Sequence, residues 1–178
     1  QKQKGFRHAY FEILPRIDTS HIITFSPDGN SIPELLQPLI EKTNEGYEMV
    51  IVSRYKGNAK SYDDDLITSF GNWLFRFLIN LLYQSKLTDP MVIYRSYEKN
   101  LISKLDLTNE KFYSLPEKIL NTKISWEPLM SIRSGKYNIK RAEIPGDEPE
   151  RIGGERKLKI IKWGFSYMYQ VFSNLFYK

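Results

Sequence analysis

The run Tyr47-Glu-Met-Val-Ile-Val-Ser53 constrains the fold of this chain more than any other segment. Four consecutive apolar residues, Met49 to Val52, leave no polar face for water, so the strand they form has to be covered on both sides, as in a parallel sheet. Upstream, residues 21–26 read as a second strand: Ile22, Ile23 and Phe25 are β-formers, and Pro27 cannot continue a ladder. Between the two, Pro33 opens a helical pattern with Leu35, Leu36, Leu39 and Ile40 at helical spacing, and Gly46 closes it. Strand, helix and strand predict a β-α-β unit with a right-handed crossover.

The rest of the chain continues the alternation. Residues 6–15 read as a helix, and the acidic loop Ala59 to Asp65 places Asp63, Asp64 and Asp65 at the N-terminus of the next one. That helix, residues 66–83, carries Phe70, Trp73, Leu74, Phe75, Phe77, Leu78, Leu81, Leu82 and Tyr83 around most of its circumference, so it is buried or faces something greasy. Met91 to Tyr94 predicts a short strand, residues 97–105 and 126–135 two helices, and Tyr137 to Ile144 an edge strand ending at Pro145. The alternation argues α/β.

The last segment, residues 157–178, separates from 1–156 as a basic amphipathic helix. Leu158, Ile161, Phe165, Met168, Phe172 and Leu175 recur at spacings of three and four, with Ile160, Trp163, Tyr167 and Val171 widening the stripe and Lys159, Lys162, Ser166, Gln170 and Ser173 toward the other side. Such a helix lies in an anionic membrane interface or packs on its own sheet; the pattern allows both.

Composition narrows the partners. The 178 residues contain no cysteine and only two histidines, which excludes a disulfide framework, a thiolate metal site and a His-rich zinc site. No uninterrupted apolar run reaches the ~18 residues of a membrane span. The N-terminus has no long apolar core or small-residue cleavage site, so it does not read as a signal peptide. A net charge of +5 favours an anionic partner. Nucleic acid is not expected, since the lysines are dispersed and no aromatic-basic recognition strand is present.

Asp28 is the acid that the strand end presents. A carboxylate held there is placed to hold a divalent cation against a substrate phosphate, because Mg²⁺ takes one or two protein carboxylates and completes its shell with phosphate oxygens and water. The same residues also make an ordinary Asp-Gly turn.

Four further segments fall in a recognisable order: Ser26-Pro-Asp28, Ser53-Arg54-Tyr55-Lys56-Gly57, Thr88-Asp89-Pro90 with Tyr94-Arg95, and Ile144-Pro145 followed by Arg151-Ile-Gly-Gly-Glu-Arg-Lys157. Over residues 5–162 the chain resembles the dolichol-phosphate mannose synthase branch of the family-two glycosyltransferases. The resemblance implies a GT-A (Rossmann-like) fold, a mostly parallel sheet flanked by helices, and inverting transfer of a sugar from a nucleotide-diphosphate donor to a polyprenyl phosphate or other lipid acceptor. It places such a protein peripherally at the cytoplasmic membrane face.

By the same resemblance, Asp28 matches the last acid of the family's metal motif for Mg²⁺ or Mn²⁺, and Asn30 falls where relatives carry a metal-contacting Gln. Arg54, Arg151 and Lys157 match residues that meet donor and acceptor phosphates. Ser26 replaces the first acid of the metal motif, and Phe70 stands where some relatives carry an acceptor arginine. The chain starts after most of the strand-helix-strand that holds the nucleotide base in relatives, so Gln1 reads as an internal position of a longer protein.

Arg54 and Arg151 can add fork-shaped, charge-assisted hydrogen bonds to phosphate. Asp89, fixed by Pro90, is the catalytic candidate on the acceptor side: a general base toward a hydroxyl, an orienting group toward a phosphate. A second function class stays open, a catalytically weak GT-A-like domain that binds an anionic membrane or a partner.

Overall fold

The computed structural model describes residues 4–150, 152 and 160–177 of the chain. Its elements are α1 (Phe6–Ile13), β1 (His21–Thr24), α2 (Leu36–Asn44), β2 (Met49–Ser53), α3 (Leu66–Tyr83), β3 (Arg95–Glu98), α4 (Leu101–Lys104), α5 (Lys111–Leu120), α6 (Glu127–Lys136), β4 (Arg141–Pro145) and α7 (Ile160–Ser173). Short 3₁₀ turns at Leu14–Arg16 and Pro33–Leu35 extend α1 and lead into α2.

The fold is α/β around a four-stranded sheet of order β1-β3-β2-β4. Two of its three pairings are antiparallel, β1 with β3 and β3 with β2; only β2 and β4 pair in parallel. This corrects the expectation of a mostly parallel sheet. The cause is β3, which enters between β1 and β2 and runs against both. β1, β2 and β4 still share one direction, so their C-terminal ends open on one edge.

β2 is buried on both faces, as its apolar run requires. Met49 and Ile51 face the main core with Phe75, Tyr97, Trp126 and Leu129, while Val50 and Val52 pack with Leu39 of α2 and Tyr94 on the other side. Trp126 is wholly buried and stacks on Tyr10 with ring centroids 4.0 Å apart, which pins α1 to the start of α6.

The strand expected at Met91–Tyr94 lies four residues later, at Arg95–Glu98, and the helix expected over 97–105 is the short α4. Polar-looking Arg-Ser-Tyr-Glu becomes a strand because Arg95 finds its donors' partners inside: it is fully buried and donates to the carbonyls of Val92 and Pro90 and to Ser131 Oγ. α5, between β3 and α6, is an element that the sequence reading passed over.

α3 spans the residues expected of it. Asp65 caps it by accepting from the Thr68 amide at 2.7 Å. Only Phe75, Ile79 and Tyr83 are buried; Phe70, Trp73, Phe77 and Leu81 are exposed, and Phe70, Trp73 and Phe77 form a stacked ladder.

α7 buries one margin of its expected stripe, Tyr167 and Val171, and exposes much of the rest. Ser166, Tyr167, Gln170 and Val171 are buried against α3, α5 and α6, while Ile161, Phe165 and Phe172 of the apolar stripe are exposed, as is Leu175 beyond it. Small and amide side chains let the helices approach, and Gln170 Nε2 finds the Phe112 carbonyl. The helix thus docks on other helices rather than on the sheet and still presents an apolar stripe. Among the described residues, no helix is long and apolar enough to cross a membrane.

Candidate functional site

The turns that follow β1, β2 and β4 lie along one edge of the sheet. After β1, Asp28 is exposed, and its Oδ1 accepts from Ser26 Oγ at 2.6 Å and from the Asn30 amide at 3.3 Å. Ser26 therefore holds the turn by hydrogen bonding to Asp28. Asn30 is buried, and its Oδ1 has no hydrogen-bond partner. Gly29 adopts φ +91, and a Cβ there would fall 2.7 Å from Ile152 Cγ1. The amide of Ile152 reaches toward the Asp28 carbonyl at 3.5 Å, so Ile152 lies against the Asp28 turn. Arg151 and Lys157 lie outside the described residues.

After β2, Arg54 turns inward. Its Nε donates to Asp89 Oδ2 at 2.6 Å and its Nη2 to Asp89 Oδ1 at 2.9 Å, while Nη1 donates to Glu148 Oε2 at 3.0 Å. The Arg54 amide also donates to Asp89 Oδ2. Burial alone would lower the pKa of this guanidinium, but Asp89 and Glu148 outweigh it and hold the group well above its ordinary value. Of five guanidinium N–H groups three are taken, which leaves one on each terminal nitrogen.

Asp89 is fully buried with both oxygens occupied by Arg54. In this structure it is an anchor that aims Arg54, and it turns no free oxygen toward an acceptor. The turn carrying it is itself clamped by Glu143 of β4. Glu143 accepts from the amides of Thr88 and Asp89 and from Thr88 Oγ1 at 2.8 Å, and Thr88 Oγ1 lies 2.6 Å from Ser53 Oγ.

Tyr55 covers the cluster, with the Arg54 guanidinium carbon 5.1 Å from its ring centroid. Its hydroxyl donates to Asp64 and accepts from Asn72 Nδ2 at 2.8 Å, tying the Arg54 turn to α3. Burial raises the Tyr55 pKa, the nearby Arg54 opposing it, so the phenol stays protonated.

A cavity of about 450 Å³ adjoins this cluster. Arg54 and Glu148 line it together with Asn72 and Phe75 of α3, and Trp163 and Met168 of α7. One cavity therefore joins the charged turns to the helices that expose apolar side chains.

The structure thus brings together Arg54 and Asp89, and sets Ile152, the neighbour of Arg151, against the Asp28 turn. Glu143 and Glu148 are partners that the sequence reading missed. Glu143 sits beside the Ile144-Pro145 pair that was singled out, but nothing local to it says which turn it clamps. Among the described residues, no group of three or more His, Cys, Asp or Glu gathers as a metal-binding cluster. The oxygen donors present, the Asp28 carboxylate and the orphaned Asn30 Oδ1, suit a hard cation that takes most of its shell from phosphate and water. Fold and site together define an α/β protein with a charged strand-edge cluster opening into an apolar cavity. No protein-family model matches the chain.

Proposed function

We propose that the chain acts as an inverting glycosyltransferase with a GT-A-like core, moving a sugar from a nucleotide-diphosphate donor to a lipid-linked acceptor such as a polyprenyl phosphate at an anionic membrane surface. The observation that carries this reading is the shared cavity: Arg54 lines it beside residues of the two helices whose outer faces are apolar and exposed. A phosphate-bearing lipid presents that combination of chemistry.

In this reading Asp28 and Asn30 hold Mg²⁺ or Mn²⁺, which when bound stabilises the charge of the leaving diphosphate, typically by several kcal/mol. Arg54 keeps two N–H groups for phosphate oxygens, and its direction is set by Asp89 and Glu148. Asp89 acts as a positioning residue. A phosphate acceptor is already ionised, with a second pKa of ~6, so transfer to it needs no strong base. Arg151 and Lys157 contribute further cationic contacts from the late segment. The exposed Phe70, Trp73 and Phe77 enter the lipid headgroup boundary and bring the cavity to the acceptor.

The test is sugar transfer from a panel of nucleotide sugars to polyprenyl phosphate, with Mn²⁺ or Mg²⁺, by the full-length protein. Asp28→Asn keeps the turn's hydrogen bonds and removes the charge, so turnover falls about 100-fold, the equivalent of roughly 3 kcal/mol, while the melting temperature stays within about 2 °C. Unchanged turnover at limiting metal overturns the assignment of Asp28. Absence of both transfer and donor hydrolysis in the wild type overturns the enzyme reading and favours the membrane-binding module, for which the exposed aromatic ladder of α3 is the supporting observation.

A further inference from the structure

Glu127 is the first residue of α6 and lines the same cavity from within the core. It is 3% exposed, its Oε2 accepts from the Ser125 hydroxyl, and its Oε1 has no hydrogen-bond partner. A buried carboxylate oxygen without a donor costs free energy that a packed interior normally avoids. Arg95 is near enough to act on it electrostatically, yet its guanidinium donates to carbonyls and to Ser131 Oγ rather than to the Glu127 carboxylate.

A second orphan lies in the same lining. His8 Nε2 is buried with no partner, while His8 Nδ1 faces the Glu110 carboxylate at 4.0 Å. Among the cations of the lining, Arg7 and Lys123 pair with Glu117, and Arg54 pairs with Asp89 and Glu148 while keeping one N–H on each terminal nitrogen. The cavity therefore offers a buried carboxylate oxygen, Glu127 Oε1, and an unpartnered ring nitrogen, His8 Nε2, among walls made by Phe75, Met91, Val92, Trp163, Tyr167 and Met168.

We propose that this cavity binds an amphipathic primary amine, its ammonium group donating to Glu127 Oε1 and its apolar body lying along the α3 and α7 walls. An ammonium carries three donors and a positive charge, which a hydroxyl cannot match, and a carboxylate ligand would meet Glu127 with like charge. At about 450 Å³ the cavity lies within the range of small-molecule sites. Burial raises the pKa of the Glu127 carboxyl against the opposing effects of Ser125, Arg95 and the backbone amides of Glu127 and Trp126, and an ammonium supplies the counter-charge that would draw it back. The proposal uses the same cavity as the function proposed above, but its test is read without donor, metal or sugar transfer.

Isothermal titration of the full-length protein with n-octylamine, 1-octanol and octanoate tests the proposal. Octylamine binds with one-site saturation, at least tenfold more tightly than octanol and octanoate. Glu127→Gln keeps the side-chain volume and weakens octylamine at least tenfold while leaving octanol unchanged. Where Glu127→Gln unfolds, Gly71→Leu with Gly164→Leu reports instead: both glycines line the cavity, a Cβ at either meets no heavy atom within 4 Å, and added bulk at the mouth abolishes octylamine binding in a folded protein. Replacing Trp73 and Phe77, on the outer face of α3, by serine leaves binding intact and separates the cavity from greasy surface adsorption. Equal affinity for octylamine and octanoate, equal octylamine affinity of folded Glu127→Gln, or undiminished binding in the double-leucine variant overturns the proposal.

Discussion

Arg54 and Asp89, 35 residues apart, form a two-pronged ion pair in which Nε meets Oδ2 at 2.6 Å and Nη2 meets Oδ1 at 2.9 Å, with Asp89 wholly out of water. The pair joins the end of β2 to the turn before β3, and Glu143 of β4 holds that turn in place. An arginine fixed this way keeps its direction before any ligand arrives, which lowers the ordering cost of meeting a phosphate.

Asp89→Asn removes the charge opposite a buried guanidinium and turns amide donors toward donors. The expected loss of stability is about 3–5 kcal/mol. Glu148→Gln, at a side chain that still reaches water, costs about 1 kcal/mol or less. Urea unfolding of both variants checks the ranking, and similar costs for the two would mean that Asp89 is not what holds Arg54.

Gly29→Val forces a side chain into φ +91 and drives it toward Ile152. The backbone strain alone costs about 1–2 kcal/mol. Because Ile152 lies against the Asp28 turn, the proposed transfer activity should fall as the two are pushed apart, while Gly57→Val, at φ +61 with open space around it, carries the backbone strain without the collision. Turnover measured in both variants separates strain from displacement.

Serine at Phe70, Trp73 and Phe77 removes the α3 ladder, whose members are 61%, 48% and 50% exposed. Flotation with anionic vesicles should drop at least tenfold, while far-UV circular dichroism is unchanged because these side chains contribute little to the core. A companion variant with Ile161 and Phe165 changed to glutamate tests the α7 stripe in the same way. Undiminished flotation of both would remove the membrane contact from these faces.

Glu117 gives the fold an acid-sensitive joint. Burial raises its pKa, but Lys123, the Ile124 amide and Arg7 together outweigh it and bring the carboxyl below its usual 4.5. The unfolded chain then binds the proton more readily, so this contribution is present above pH 4.5 and is lost as pH falls through the lower folded value. Glu117→Gln should cost about 3 kcal/mol at neutral pH and flatten the acid limb of a stability-pH curve. Chemical denaturation at several pH values between 3 and 7 reads both.

What the sequence determined by itself was whatever depends on neighbours along the chain. Met49 to Val52 had to be covered on both faces because no residue among them tolerates water, and α3 runs from Leu66 to Tyr83 because Asp65 caps it and no residue within it breaks it. Asp28 stands at a strand end because Pro27 and Gly29 stop the ladder. Tertiary structure decided the rest. β3 formed from Arg-Ser-Tyr-Glu only because the interior offered carbonyls to Arg95, and its insertion turned a sheet expected to be mostly parallel into a mixed one. α7 buried Ser166 and Gln170 beside Tyr167 and Val171 and exposed Ile161 and Phe165, since small side chains facing α3, α5 and α6 allow a closer approach than the full width of the apolar stripe would. Asp89 looked like an acid available to an acceptor, but once Arg54 and Asp89 are brought together, desolvating both favours the pair over either group alone. No local pattern encodes that choice, because its energy exists only when distant segments meet.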